Sequence, residues 1–142
     1  MINIDELFFG AWVLVKIDEG TRILREPHRV TGIMTYNGKP YVQTDESENY
    51  RGLECYEPII ITEDIMRSSG FIIDLGSATY NLTYTIKNYG WLEYRFNDSM
   101  LFEHWNNGLS NGEVTFQSAC RRYVHLLQAA LRLCGSEIEI IL

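Results

Sequence analysis

The clearest periodicity in the chain lies between Tyr123 and Gly135, Y-V-H-L-L-Q-A-A-L-R-L-C-G. On a helical wheel at about 100° per residue, Val124, Leu126, Leu127, Ala130, Leu131, Leu133 and Cys134 share one half of the circumference with Tyr123. His125, Gln128 and Arg132 form the opposite strip, which the pattern places in solvent. Gly135 ends the helix, because glycine tolerates the left-handed C′ position, and Arg132 in the last turn suits the negative end of the dipole. The start lies between Ala119 and Tyr123. Ser118 would cap a longer helix, but Arg121 and Arg122 would then stand near its positive end. So wide an apolar face calls for a broad partner, most economically one face of a sheet.

A period of two supplies that sheet. Tyr80, Leu82, Tyr84 and Ile86 alternate with Thr79, Asn81, Thr83, Thr85 and Lys87, and Leu92, Tyr94 and Phe96 alternate with Trp91, Glu93 and Arg95. Met100 to Trp105 and Val114 to Phe116 or beyond add further strands. Turn residues at 88–90, 97–99, 106–108 and 111–112 separate them, so an antiparallel meander is expected. Glu137 to Leu142 alternates briefly and is expected to add a final short strand.

The first half reads as short strands. Asp5 to Lys16 carries a glycine bend and then β-formers, His28 to Met34 is a second strand, and Asn37-Gly38 turns it into Pro40 to Thr44, since both turn residues tolerate positive φ. Asp18-Glu19-Gly20 marks a loop extending toward Pro27, and Asp45 to Asn49 marks another before a short piece from Tyr50 to Cys55. Such spacing suits a small bent barrel, and Leu7, Gly10, Trp12 and Val13 look like the entry strand of SH3-like barrels. Thr62 then caps a short helix with Glu63 and Asp64 in its first turn, closed by Gly70 and Phe71. The expected fold is α+β: a small N-terminal SH3-like β-barrel over 1–58, a connecting helix over 59–71, and over 72–142 an antiparallel β-meander packed by a C-terminal helix and a final short strand.

Composition narrows the functional classes. A formal charge of -7 repels a phosphate backbone, so nucleic acid is an unfavourable partner and a protein a better one. An odd number of cysteines, Cys55, Cys120 and Cys134, without C-x-x-C spacing argues for reduced thiols rather than a disulfide framework. Neither a basic leader nor an apolar run of about 18 residues is present, so the reading is a cytoplasmic protein outside the membrane.

Three pieces, in order, resemble a group of small uncharacterised bacterial proteins often found in prophage and mobile-element regions. Ile4 to Val13 is similar to their N-E-L-R-I-G-N-W-V opening. Pro58 to Ile65 with Gly70-Phe71 is similar to P-I-x-L-T-E-E-x-L-x-x-x-G-F. Tyr123, Val124, His125, Leu127, Gln128, Ala130, Leu131, Leu133 and Gly135 match Y-V-H-x-L-Q-x-A-L-x-L-x-G. Phe8-Phe9 departs from the group's basic and aliphatic pair, and the stretch from Ile17 to Glu26 is long. The resemblance implies a shared fold and a mobile-element context, and it brings no activity with it.

The chemistry-bearing residues point the same way. His28, His104 and His125 have no ligand spacing among them, no nucleophile signature surrounds Ser or Cys, and the glycines stand singly in turns. The expectation is therefore no enzyme, no metal and no cofactor. A binding module is the leading reading, with Trp12, Tyr36, Tyr41 and Tyr50 as candidate surface aromatics and His125, Gln128 and Arg132 as a polar strip that could meet a ligand. Strand packing accounts for Trp12 better than for Tyr36, beside the hairpin turn, and a solvated helix face accounts for the polar strip. An acidic decoy or inhibitor and an uncharacterised enzyme are the competing readings.

Overall fold

In a computed structural model the chain is α+β and divides into two compact units, Met1–Ile60 and Ile61–Leu142. The structure describes residues 2–74, 79–83, 91–95, 101–105, 114–119, 122–133 and 135–142; from 73 to 119 it is the backbone and its pairing that are described. The expected turns at 88–90, 97–99, 106–108 and 111–112, together with Cys120 and Cys134, lie outside the described residues.

The first unit is one antiparallel sheet of order β4-β3-β2-β1-β5, built from β1 (Trp12–Asp18), β2 (Ile23–Tyr36), β3 (Lys39–Thr44), β4 (Ser47–Gly52) and β5 (Tyr56–Glu57). Asn37 and Gly38, with φ of 49° and 73°, make the tight turn between β2 and β3 that their residue types predict. β2 is longer than expected and runs through Pro27. Over its first half it pairs with β1 alone, Leu14 lying opposite Pro27, so one side of the strand has no ladder for the missing N–H to break. The stretch Ile17 to Glu26 is therefore mostly strand, with a turn closed by Glu19 N–H donating to the Arg22 carbonyl. Likewise Asp45 to Asn49 is not a loop. Asp45 and Glu46 alone make the turn and β4 starts at Ser47, because Asp45 is held locally, its Oδ1 accepting from Arg29 N–H and its own N–H donating to the Arg29 carbonyl.

The core of this unit is made by the inward positions Val13, Val15, Val30 and Val42 with Tyr56, capped by Ile2, Leu7 and Ala11 of the lead-in segment. The sheet is open: β4 and β5 are its two edges, and no ladder closes it into the expected barrel. A side chain links the two halves instead. Tyr56 on β5 is 2% exposed and its hydroxyl donates to the Val42 carbonyl of β3 at 2.6 Å, where the β3–β4 register shifts. Burial of the phenol pushes its pKa up to about 12, opposed in part by the positive charge of Arg51.

The second unit holds an antiparallel meander of order β10-β9-β8-β7-β6, formed by β6 (Ile72–Asp74), β7 (Thr79–Thr83), β8 (Trp91–Arg95), β9 (Leu101–Trp105) and β10 (Val114–Ala119). β6 was not predicted; three residues are too short to show a period. α1 (Glu63–Ser68) starts at Thr62, whose Oγ1 accepts from Ile65 N–H, and α2 (Val124–Leu133) follows a backbone bond from Ile61 N–H to the Arg122 carbonyl. Both helices end on the glycine motif that sequence predicts. Gly70 and Gly135 have φ of 93° and 78°, with Phe71 N–H reaching back to the Met66 carbonyl and Ser136 N–H to that of Leu131. Ser118 and Ala119 belong to β10, so the longer α2 capped by Ser118 does not form.

Two further expectations fail for identifiable reasons. Glu137 to Leu142 forms no strand: Ile141 N–H donates to Ser69 Oγ at the end of α1, and Ile140 is buried while its neighbours are not. The alternation there reports one-sided burial without a ladder. On α2, His125 is fully buried, whereas Leu133 is 73% exposed. In the first turn the Tyr123 ring stacks on His125 at 5.8 Å, while Arg132 and Leu133 in the last turn are exposed, so burial varies along the helix as well as around it.

Truncating Leu127 or Leu131 to Ala should cost about 2–5 kcal/mol, as for buried leucines generally, and Leu133→Ala should be near neutral. Urea denaturation of the three variants checks the rotated face; an equal loss at Leu133 would contradict it. Tyr56→Phe should cost about 1–2 kcal/mol because the Val42 carbonyl loses its buried donor. The raised phenol pKa favours the neutral ring in the folded state. Its contribution is thus complete below pH ~10, the unfolded value, and lost as pH rises through about 12. Wild-type stability should fall over that alkaline window more steeply than that of Tyr56→Phe, and parallel pH profiles would contradict the assignment.

Candidate functional site

The outer surface of the first sheet, opposite its valine core, carries two chemically distinct regions. On the β5-β1-β2 side, Glu57 receives Arg25 at 2.8 Å and Lys16 at 3.2 Å, each from a different strand. Hydrogen bonds from Arg25 and Lys16 hold the Glu57 carboxyl below the usual carboxylate range. Further along β1, the Arg29 guanidinium sits 4.6 Å from the centroid of the Trp12 ring, across the strand pair that joins them. This region is satisfied internally, and Trp12 serves as a platform for Arg29 within it.

On the β2-β3-β4 side the register aligns a different set. Met34 faces Tyr41, Tyr36 faces Lys39, and Gly52 faces Tyr41 from the other flank. Alternation then puts Gly32, Met34 and Tyr36 of β2, Tyr41 and Gln43 of β3, and Tyr50 and Gly52 of β4 on one surface. Tyr36 is 62% exposed, Tyr50 42% and Met34 39%, with Tyr41 half-buried between them. Two glycines shape it by leaving space. A Cβ at Gly32 would collide with the Tyr50 hydroxyl and ring and lie 2.9 Å from Gln43 Oε1, so Tyr50 lies over that position. A Cβ at Gly52 would collide with both carboxylate oxygens of Glu54.

Beside Gly52 the surface dips into a cleft of about 280 Å³ lined by Lys39, Pro40, Tyr41, Gly52, Leu53 and Glu54. A second cleft of about 300 Å³ lies past the 3-10 turn Leu53–Cys55, between Lys16, Tyr56, Glu57 and Pro58. Each has room for one or two side chains and falls at or below the lower end of the cofactor-site range, about 300–1,000 Å³.

No family model, curated protein or solved structure matches the chain.

Of the residues singled out from sequence, the structure brings Tyr36, Tyr41 and Tyr50 together and adds Met34, Gly32, Gly52 and Glu54 to them. Trp12 belongs to the other region. The strip of His125, Gln128 and Arg132 is not one solvated face, since His125 is fully buried, Gln128 half-buried and Arg132 exposed. Met34 was legible as the residue two before Tyr36 in the same strand. Glu54 was not, because its place depends on the turn at Leu53–Cys55. His28 Nδ1 lies 2.8 Å from Asp45 Oδ1, tying β2 to the β3–β4 turn. Among the described residues, no group of three His, Cys, Asp or Glu side chains could hold a metal ion, and no helix is long and apolar enough to cross a membrane.

The lowered Glu57 pKa implies stability that is present above the unfolded carboxylate value, pH ~4, and lost as pH falls through the folded one. Wild type should lose more melting temperature than Glu57→Gln on acidification through that window; superimposable profiles would show that the three-strand ion pair contributes nothing.

Proposed function

We propose that the chain is a non-enzymatic protein-binding module of a prophage or mobile element, acting in the cytoplasm through the β2-β3-β4 face. The observation that carries this reading is the grouping of Met34, Tyr36, Tyr41 and Tyr50 on one exposed surface of a well-packed sheet. Exposed aromatics in a cluster are costly to leave in water and are typical of binding surfaces, where tyrosine gives contact area at small entropic cost. The acidic balance favours a protein partner over nucleic acid.

The fold reading that goes with it is an SH3-like arrangement in the first unit. Its support is the order β4-β3-β2-β1-β5, the long β2 shared by both halves, and the 3-10 turn ahead of β5. In the second unit the reading is a meander packed by α2, supported by the buried row Val124, Leu127, Ala130 and Leu131. The mobile-element context rests on the resemblance carried by the opening, central and closing motifs.

The tagged full chain and its Tyr36→Ala/Tyr50→Ala variant, compared in parallel pull-downs from host lysate, provide the test. Wild type should retain a protein that the variant loses, with the variant still folded by circular dichroism. An identical captured set for both would overturn the assignment of this face.

A further inference from the structure

The cleft beside Gly52 suggests what kind of partner the face takes, and this step rests on the binding reading above. Its floor is a residue without a side chain. Tyr41 flanks that floor from β3, being the direct strand partner of Gly52, and the Glu54 carboxylate is folded over it from the following 3-10 turn. An aromatic wall and a carboxylate around one hollow form a receptor for a cation, since the ring face and the carboxylate both attract positive charge. The volume, about 280 Å³, takes one long side chain rather than a folded element or a cofactor.

The surrounding charges agree. Between Lys39 and Glu54 the chain carries Lys39 and Arg51 against Asp45, Glu46, Glu48 and Glu54, a local charge of 2 − 4 = −2. Arg51 is committed to Glu46 at 3.0 Å and Asp45 faces His28 at 2.8 Å. Glu48 and Glu54 form no ion pair among the described residues, nor does Lys39, which leaves two carboxylates against one ammonium. Lys39 lines the cleft but is exposed at the start of β3, where its long stem can carry the charge out into water.

We infer that the partner presents a basic segment, and that one lysine or arginine side chain of it enters the cleft between Tyr41 and Glu54 while neighbouring apolar residues lie on Met34, Tyr36 and Tyr50. The probes are the capped amino acids acetyl-arginine amide, acetyl-lysine amide, acetyl-leucine amide and acetyl-glutamate amide, titrated into the isotopically labelled full chain and followed by amide chemical shifts. The basic probes should shift Tyr41, Gly52, Leu53 and Glu54 saturably, and the other two should not. Glu54→Gln should weaken the basic probes by about threefold, the scale of one exposed ion pair, and Lys39→Ala should strengthen them. Gly52→Ala is a second blocking variant: at φ −65° and ψ 160° the backbone accepts alanine, while the new Cβ displaces the carboxylate. It should abolish the shifts without loss of melting temperature. Equal or stronger shifts with the glutamate or leucine probe, or no saturable shift with any, would overturn the inference. If a partner is still captured in a Tyr36- and Tyr50-dependent way while the basic probes fail, the binding face stands and the basic chemistry falls.

Discussion

The Tyr56 hydroxyl reaches the Val42 carbonyl from the far edge of the first sheet, and the shape of that unit depends on it. β5 is two residues long and pairs with β1 through Leu14 and Val15 alone, too little to hold an edge strand by its ladder. The ring fills the interior beneath the valines, and its single polar atom is satisfied where the β3–β4 register slips. A buried phenol without that acceptor would carry an unsatisfied hydroxyl, a cost of about 1–3 kcal/mol, and the Val42 carbonyl at the register shift removes that cost. The consequence lies on the opposite side, where the register of β2, β3 and β4 decides which aromatic residues share the outer surface.

The two regions of that outer surface differ in how their polar and aromatic groups are satisfied. Around Trp12 each group has a partner in the same sheet: Arg29 over the ring, and Arg25 and Lys16 on Glu57. Around Tyr41 large apolar groups are exposed, with Tyr50 lying over Gly32 and the Glu54 carboxylate over Gly52. Internal pairing explains the first region as stability. In the second, Tyr36 and Met34 stay exposed, and this contrast is what supports the proposed binding face.

Features set by local chemistry were legible in the sequence. Asn37-Gly38, the Thr62 cap and the closing glycines at 70 and 135 each depend on a few neighbouring residues, and each sits where its residue types require. Features set by tertiary context were not. Pro27 reads as a loop until β2 is seen to pair on one side only, and Asp45 to Asn49 reads as a loop until Asp45 is seen bonded to Arg29. His125 is polar yet fully buried, its ring stacked with Tyr123, which no wheel anticipates. Of the candidate site, the three tyrosines could be named together with Trp12, and only the register separates Trp12 from them, while Glu54 could not be named, since its place depends on the turn at Leu53–Cys55.

The central claim is that the β2-β3-β4 face is the surface this chain uses. Hydrogen–deuterium exchange of the full chain with and without its captured partner measures this directly. The account predicts added protection in residues 32–36, 39–43 and 48–54, with little change along β1 and α2. Protection concentrated instead around Trp12 and Arg29, or around Gln128 and Arg132, would contradict it.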